Sequence, residues 1–139
     1  MTPIITAPEN PTPEDREAIL APLRAYNDAQ AGASGFRVVA LLLKDEAGAT
    51  VGGLWGKISY DWLFVELLSV PEALRGHDFG TALMAEAERL ARGHGCLGLW
   101  LDTFGFQARG FYEKLGFSVF GTLEDHPAGN RRHFLAKRF

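Results

Sequence analysis

The chain has 139 residues, 47% of them hydrophobic and 22% charged, which suits one domain with one core of ordinary globular composition. Its formal charge of −3 argues against nucleic acid as a partner and fits small-molecule work, with a weak bias toward cationic substrates. Cys96 is the single cysteine, so an intrachain disulfide is excluded and, without a CxxC pair, neither a structural zinc nor any other metal is expected. The opening "MTPIITAPENPTPED" has neither a basic start nor an apolar run, so no signal peptide is expected. No stretch reaches about 18 unbroken apolar residues, so no membrane span is expected either. A cytoplasmic protein follows as the expectation.

Residues 3–7 have the composition of a short first strand. "TPED" then starts a helix: Thr12 caps, Pro13 takes the first helical position, and Asp15 stands where a capping box needs an acid. Ile19, Leu23 and Tyr26 continue a helical stripe, and Pro22 is expected to kink or split it. Residues 36–60 read as a hairpin turning at Asp45 to Gly48, and "DWLFVELLSV" (61–70) as a third strand, apolar on both faces and so central in a sheet. A helix over 79–92 is expected to bury Phe79, Leu83, Ala87, Leu90 and Ala91, with Glu88 and Arg92 paired on its solvent side.

"CLGLWLDT" (96–103) reads as another buried strand. In "FQARGFYEKLGF" (106–117), Ala108, Phe111, Tyr112 and Leu115 share a helical face. Gly116 provides a left-handed stop and Phe117 packs back over the last turn. Strands at 118–123 and 131–139 flank a loop, "EDHPAGN" (124–130). The order β-α-β-β-β-α-β-α-β-β describes one mixed α/β layer structure filling residues 1–139 as a single domain.

The segment "LSVPEALRGHDFGTALMAEAERL" (68–90) runs from strand through a glycine loop into an amphipathic helix, the build of a phosphate site. A P-loop would need a Gly-Lys-Ser/Thr ending, which is absent. A Rossmann loop would need its glycines near the first strand and an acid about 20 residues on, and the spacing does not fit. An Arg-Gly-x-Gly-x-Gly loop, holding a pyrophosphate on backbone N–H groups, matches Arg75-Gly76-His77-Asp78-Phe79-Gly80 at all but one place.

Together, "LLSVPEALRGHDFGTALM" and, further on, "ARGFYEKLGF" make the chain from about residue 36 to 139 resemble the GNAT family of N-acetyltransferases. The resemblance implies an acyl-CoA N-acyltransferase fold, a central, mostly antiparallel twisted sheet with flanking helices. It also implies transfer of an acetyl group from acetyl-CoA to an amine of a small molecule or protein. The pyrophosphate would then rest on the N–H groups of His77, Asp78, Phe79, Gly80 and Thr81. Gly76 and Gly80 allow close approach, Arg75 adds charge, and the Thr81 hydroxyl adds a bond. By the same resemblance, Leu68, Ser69 and Val70 offer a strand edge, exposed by a bulge and a splay, to the pantetheine amides. Glu66, the one acid of the central strand, would be the general base through water, its pKa raised if it lies unpaired among apolar neighbours. Tyr112 would be the acid that protonates the departing thiolate.

Each of these residues has a plainer role open to it. Tyr112 can be a core tyrosine, Glu66 a strand-end ion pair, and Arg75 a solvated cation. Asp78 stands where the family usually has glycine and can instead cap the helix after it, competing with an anion for the same N–H groups. Gly105 stands where the family often has an asparagine, and Gln107 is the substitute for that cofactor contact. Asp102 either caps the following helix or touches substrate. The four histidines lack metal-ligand spacing and are expected at the surface, with His126 within reach of the acceptor. Of Trp55, Tyr60, Trp62 and Phe64, most are core by default, with a place lining the acceptor pocket open to some. Pairing of last strands would allow a homodimer. From another functional class, a non-catalytic acyl-CoA sensor of the same fold is the alternative.

Overall fold

The computed structural model describes residues 1–139, which divide into two compact units, Met1–Ser34 and Gly35–Phe139. The first unit holds helix α1 (Pro13–Ala31). Its start is the expected capping box: the Thr12 hydroxyl accepts from Asp15 N–H at 3.1 Å, and Asp15 accepts from Thr12 N–H at 2.9 Å. The helix runs on through Pro22 rather than splitting there. A proline removes one bond from the ladder, and the turns on either side remain intact. The strand expected at 3–7 does not form. Prolines at 3 and 8 remove donors from so short a segment, and it finds no strand to pair with.

The second unit is a six-stranded, mostly antiparallel sheet in the order β1-β2-β3-β4-β6-β5. Its strands are β1 (Arg37–Lys44), β2 (Thr50–Ser59), β3 (Trp62–Ser69), β4 (Gly98–Phe104), β5 (Ser118–Glu124) and β6 (Arg131–Arg138). Two helices belong to it, α2 (Phe79–Gly93) and α3 (Arg109–Lys114). The β1–β2 hairpin turns at the expected place, where Asp45 Oδ1 accepts from Ala47 and Ala49 N–H, each at 2.9 Å.

Leu63, Leu99, Leu101 and Leu135 are fully buried on the sheet, in one core with Met84, Ala87 and Ala91 of α2. Burying each such leucine contributes about 1.5–3 kcal/mol. Met84 is buried in the core, whereas Phe79, expected there from its helical spacing, is 36% exposed. Glu88 pairs with Arg92 as expected and also takes Lys137 of β6, both at 3.1 Å. Trp55 and Tyr60 are exposed, and Trp62 and Phe64 only half-buried, so none of these four is core. Tyr60 lies in the β2–β3 turn, the other three belong to strands, and Phe64 meets Trp100 at 4.2 Å.

The β3–β4 pair positions the site. It is the sheet's one parallel pair, and its register ends at Val65↔Leu101, although β3 runs on to Ser69 and β4 to Phe104. The two strands part from that point. On its other edge β3 stays paired to β2, with a bulge that leaves Glu66 out of the register between Leu67↔Trp55 and Val65↔Gly56.

Candidate active site

The parted strands open into a cleft of about 840 Å³, within the range of small-molecule sites. The cleft gathers residues that lie far apart in the sequence. Leu68, Ser69 and Val70 form one wall. Arg75, Gly76, Asp78, Phe79, Gly80 and Thr81 form the end at α2. Glu66, Gln107 and Tyr112 complete it. His77 is exposed and does not line it.

At the α2 end the chain makes a tight entry. Gly76 has φ 82° with open space where a side chain would stand, and Asp78 is itself left-handed at φ 62°. Asp78 occupies the cap position but makes no side-chain cap, contrary to the competition expected for the helix N–H groups. Its left-handed backbone is the reason, since a capping side chain normally comes from an extended residue. The N-terminus of α2 therefore faces the cleft without a side chain on it. The Arg75 Nε donates to the Val70 carbonyl at 3.3 Å, which ties the loop back to the end of β3.

Glu66 is exposed, not buried as an acid in a central strand would be. The bulge displaces it from the ladder, while Leu63 and Val65 before it stay buried. Tyr112 is half-buried on α3, edge-on to Phe111 and Phe117 at 5.0 and 6.0 Å. Burial first, and the negative charge of Asp102 second, push its phenol above the usual value near 10. Its hydroxyl therefore holds its proton over the ordinary pH range.

Gln107 holds the turn between β4 and α3. Its Oε1 accepts from Phe104 N–H at 2.7 Å and from the Thr103 hydroxyl at 3.2 Å. Gly105 N–H is spent on the Arg131 carbonyl at 2.7 Å. Past the turn, Gly116 is left-handed at φ 96° and Phe117 N–H returns to the Tyr112 carbonyl at 3.1 Å, the expected stop.

Asp102 does not cap α3; it lines the cleft and pairs with Arg132 of β6. Arg132 also reaches His126 Nε2 at 3.1 Å and lies over the rings of Phe104 and Phe134 at 5.5 and 5.4 Å. Phe104 stacks on Phe106, which is 64% exposed at the cleft. Sequence reasoning passed over Arg132, Phe104 and Phe106. The sequence places Arg132 in the last strand, but only the β4–β6 register, Phe104↔Arg132, brings it to Asp102. His133 is buried, with Nδ1 on the Thr122 hydroxyl at 3.1 Å, and is not a surface histidine. No group of three or more His, Cys, Asp or Glu side chains is placed to hold a metal ion.

The sequence matches the Acetyltransferase (GNAT) family over residues 5–117. It is 40% identical over 126 residues to the acetyltransferase Atu2258 of Agrobacterium fabrum, covering 91% of this chain and 92% of that one. It is 41% identical over 93 residues to a blasticidin-S acetyltransferase of Streptomyces morookaense, covering 66% of this chain and 68% of that one. A crystal structure from Agrobacterium tumefaciens superposes with a TM-score of 0.91 at 37% identity, over 100% of both chains.

Proposed function

We propose, from the premise that the chain belongs to the acetyltransferase (GNAT) family and is an acetyltransferase, that it moves an acetyl group from acetyl-CoA to a primary amine by direct attack. The observation that carries this reading is the cleft itself, which runs from an uncapped helix N-terminus along an unpaired strand edge to Tyr112.

Each part of the donor has a chemical match. The pyrophosphate suits the N-terminus of α2, where N–H groups and the helix dipole favour an anion, with Arg75 and the Thr81 hydroxyl beside it. The pantetheine amides suit the β3 edge at Leu68 to Val70, which β4 leaves unpaired. The acceptor amine arrives mostly protonated, with a pKa of about 10 if it is lysine-like. Glu66, exposed at the bulge, takes that proton through water. The nitrogen attacks the thioester carbon, the carbon–sulfur bond breaks, and Tyr112 protonates the departing thiolate. An acceptor of the blasticidin-S kind is the first to try, on the strength of the relative's name.

Calorimetric titration with acetyl-CoA tests the donor half. The expected result is micromolar binding, about −8 kcal/mol, weakened about tenfold in Arg75→Ala as one charged phosphate contact is lost. Tyr112→Phe is expected to bind acetyl-CoA normally and to lose about 10²–10⁴ in kcat. Absence of binding at about 1 mM, only some −4 kcal/mol, would leave the fold without this chemistry.

A further inference from the structure

Glu66 and Asp102 are the first residues beyond the last β3–β4 pair, one on each strand, and both line the cleft where it opens. The charged lining is thus polarised. Arg75 and Asp78 stand at the α2 end, and two carboxylates stand at the strand end. Glu66 is free in solvent, whereas Asp102 is held.

The way Asp102 is held leaves half of it open. Arg132 Nε reaches Oδ1 at 3.0 Å and Nη2 reaches the same Oδ1 at 2.8 Å. A two-oxygen fork would have engaged Oδ2 as well, but the hydrogen bond from Arg132 goes to Oδ1. The Asp102 side chain keeps 17% of its exposure. Arg132 has further partners in His126 and the two aromatic faces of Phe104 and Phe134, which favour the orientation that meets Oδ1.

We propose that Asp102 is the specificity-determining residue of the acceptor site, its open Oδ2 receiving a positively charged group of the acceptor. This rests on the acetyl-transfer reading above. The charged group cannot be the reacting nitrogen, because a carboxylate gripping an ammonium keeps it protonated and opposes attack. It is a second cation of the same molecule. The acceptor is therefore a diamine, a polyamine or an amine carrying a guanidinium. The exposed Phe106 ring, stacked on Phe104, provides an apolar wall for the carbon skeleton between the two charges.

The test measures thiol release from acetyl-CoA with spermidine, blasticidin S, 1,4-diaminobutane, benzylamine and butylamine, for wild type and Asp102→Asn. The asparagine keeps an oxygen for Arg132 and removes the charge. Wild type is expected to favour acceptors with a second cation at least tenfold in kcat/KM. The variant is expected to raise their KM about ten- to a hundredfold, the usual weight of a charged hydrogen bond, while its affinity for acetyl-CoA, followed by calorimetry, stays within about twofold. Equal use of the monoamines by wild type, or a preference that survives in Asp102→Asn, overturns the proposal. Thiol release with none of the five, although acetyl-CoA binds, overturns it too. Failure to bind acetyl-CoA marks instead the collapse of the transfer reading on which it stands.

Discussion

The side-chain oxygen of Gln107 sits 2.7 Å from the backbone nitrogen of Phe104 and accepts its hydrogen. In a continuous parallel sheet, donors on that edge of β4 would find β3, but β3 has already parted from it. Gln107 thus caps an unpaired strand end, and the Thr103 hydroxyl shares the same oxygen at 3.2 Å.

Gln107→Ala therefore frees the Phe104 N–H and loosens the 104–108 turn. The expected cost is about 1 kcal/mol in stability and a severalfold rise in KM for acetyl-CoA. Gln107→Glu keeps an accepting oxygen and is expected to stay close to wild type in both. If the glutamate variant fails as badly as the alanine one, the NH₂ group of Gln107 is what matters, as a direct donor to the cofactor. Chemical unfolding and steady-state kinetics on the two variants separate these outcomes.

Asp78 makes no side-chain cap, so on the proposed donor-site reading its effect is one of charge. Its carboxylate lines the end of the cleft assigned to the pyrophosphate, and its left-handed φ of 62° is a conformation glycine adopts freely. Asp78→Gly is expected to bind acetyl-CoA about three- to tenfold tighter at low ionic strength, with the advantage shrinking in salt. Stability should change by less than about 1 kcal/mol, since relief of the backbone is offset by a freer unfolded chain. Calorimetry at two salt concentrations decides it. Equal affinity at low salt would mean that the carboxylate turns away from the phosphates.

Glu88 ties α2 to β6. Burial opposes its ionisation, but hydrogen bonds from Lys137 and Arg92 outweigh that and hold its carboxyl below the usual 4.5. A depressed folded-state value means that ionised Glu88 adds stability present in full above about pH 4.5 and lost as pH falls through the folded value. Glu88→Gln is expected to be about 0.5–1 kcal/mol less stable than wild type at pH 7, and the gap should close on acidification below pH 4.5. Denaturant titrations at pH 7 and pH 3 check it. A gap that persists at pH 3 would assign the effect to packing.

Features set by near neighbours in the chain follow from local physics. Alternation and turn chemistry placed the β1–β2 hairpin at Asp45 to Gly48, and the capping box fixed the start of α1. Gly116 fixed the end of α3. The glycine loop before an amphipathic helix marked the α2 end of the cleft, because those properties lie within a few neighbouring residues. The remaining features arise from contacts between segments distant in the chain. No periodicity could say that β3 and β4 part after Val65 and Leu101, or that a bulge puts Glu66 in solvent, since pairing register is a property of two strands. Nor could it bring Arg132 to Asp102, 30 residues apart in the chain, or hold Gln107 on Phe104. Phe79 kept its helical spacing yet stayed partly exposed, because its end of α2 faces the cleft rather than the sheet. The α2 end of the cleft was legible in a single segment, whereas its strand end depends on strands that meet only in the folded sheet.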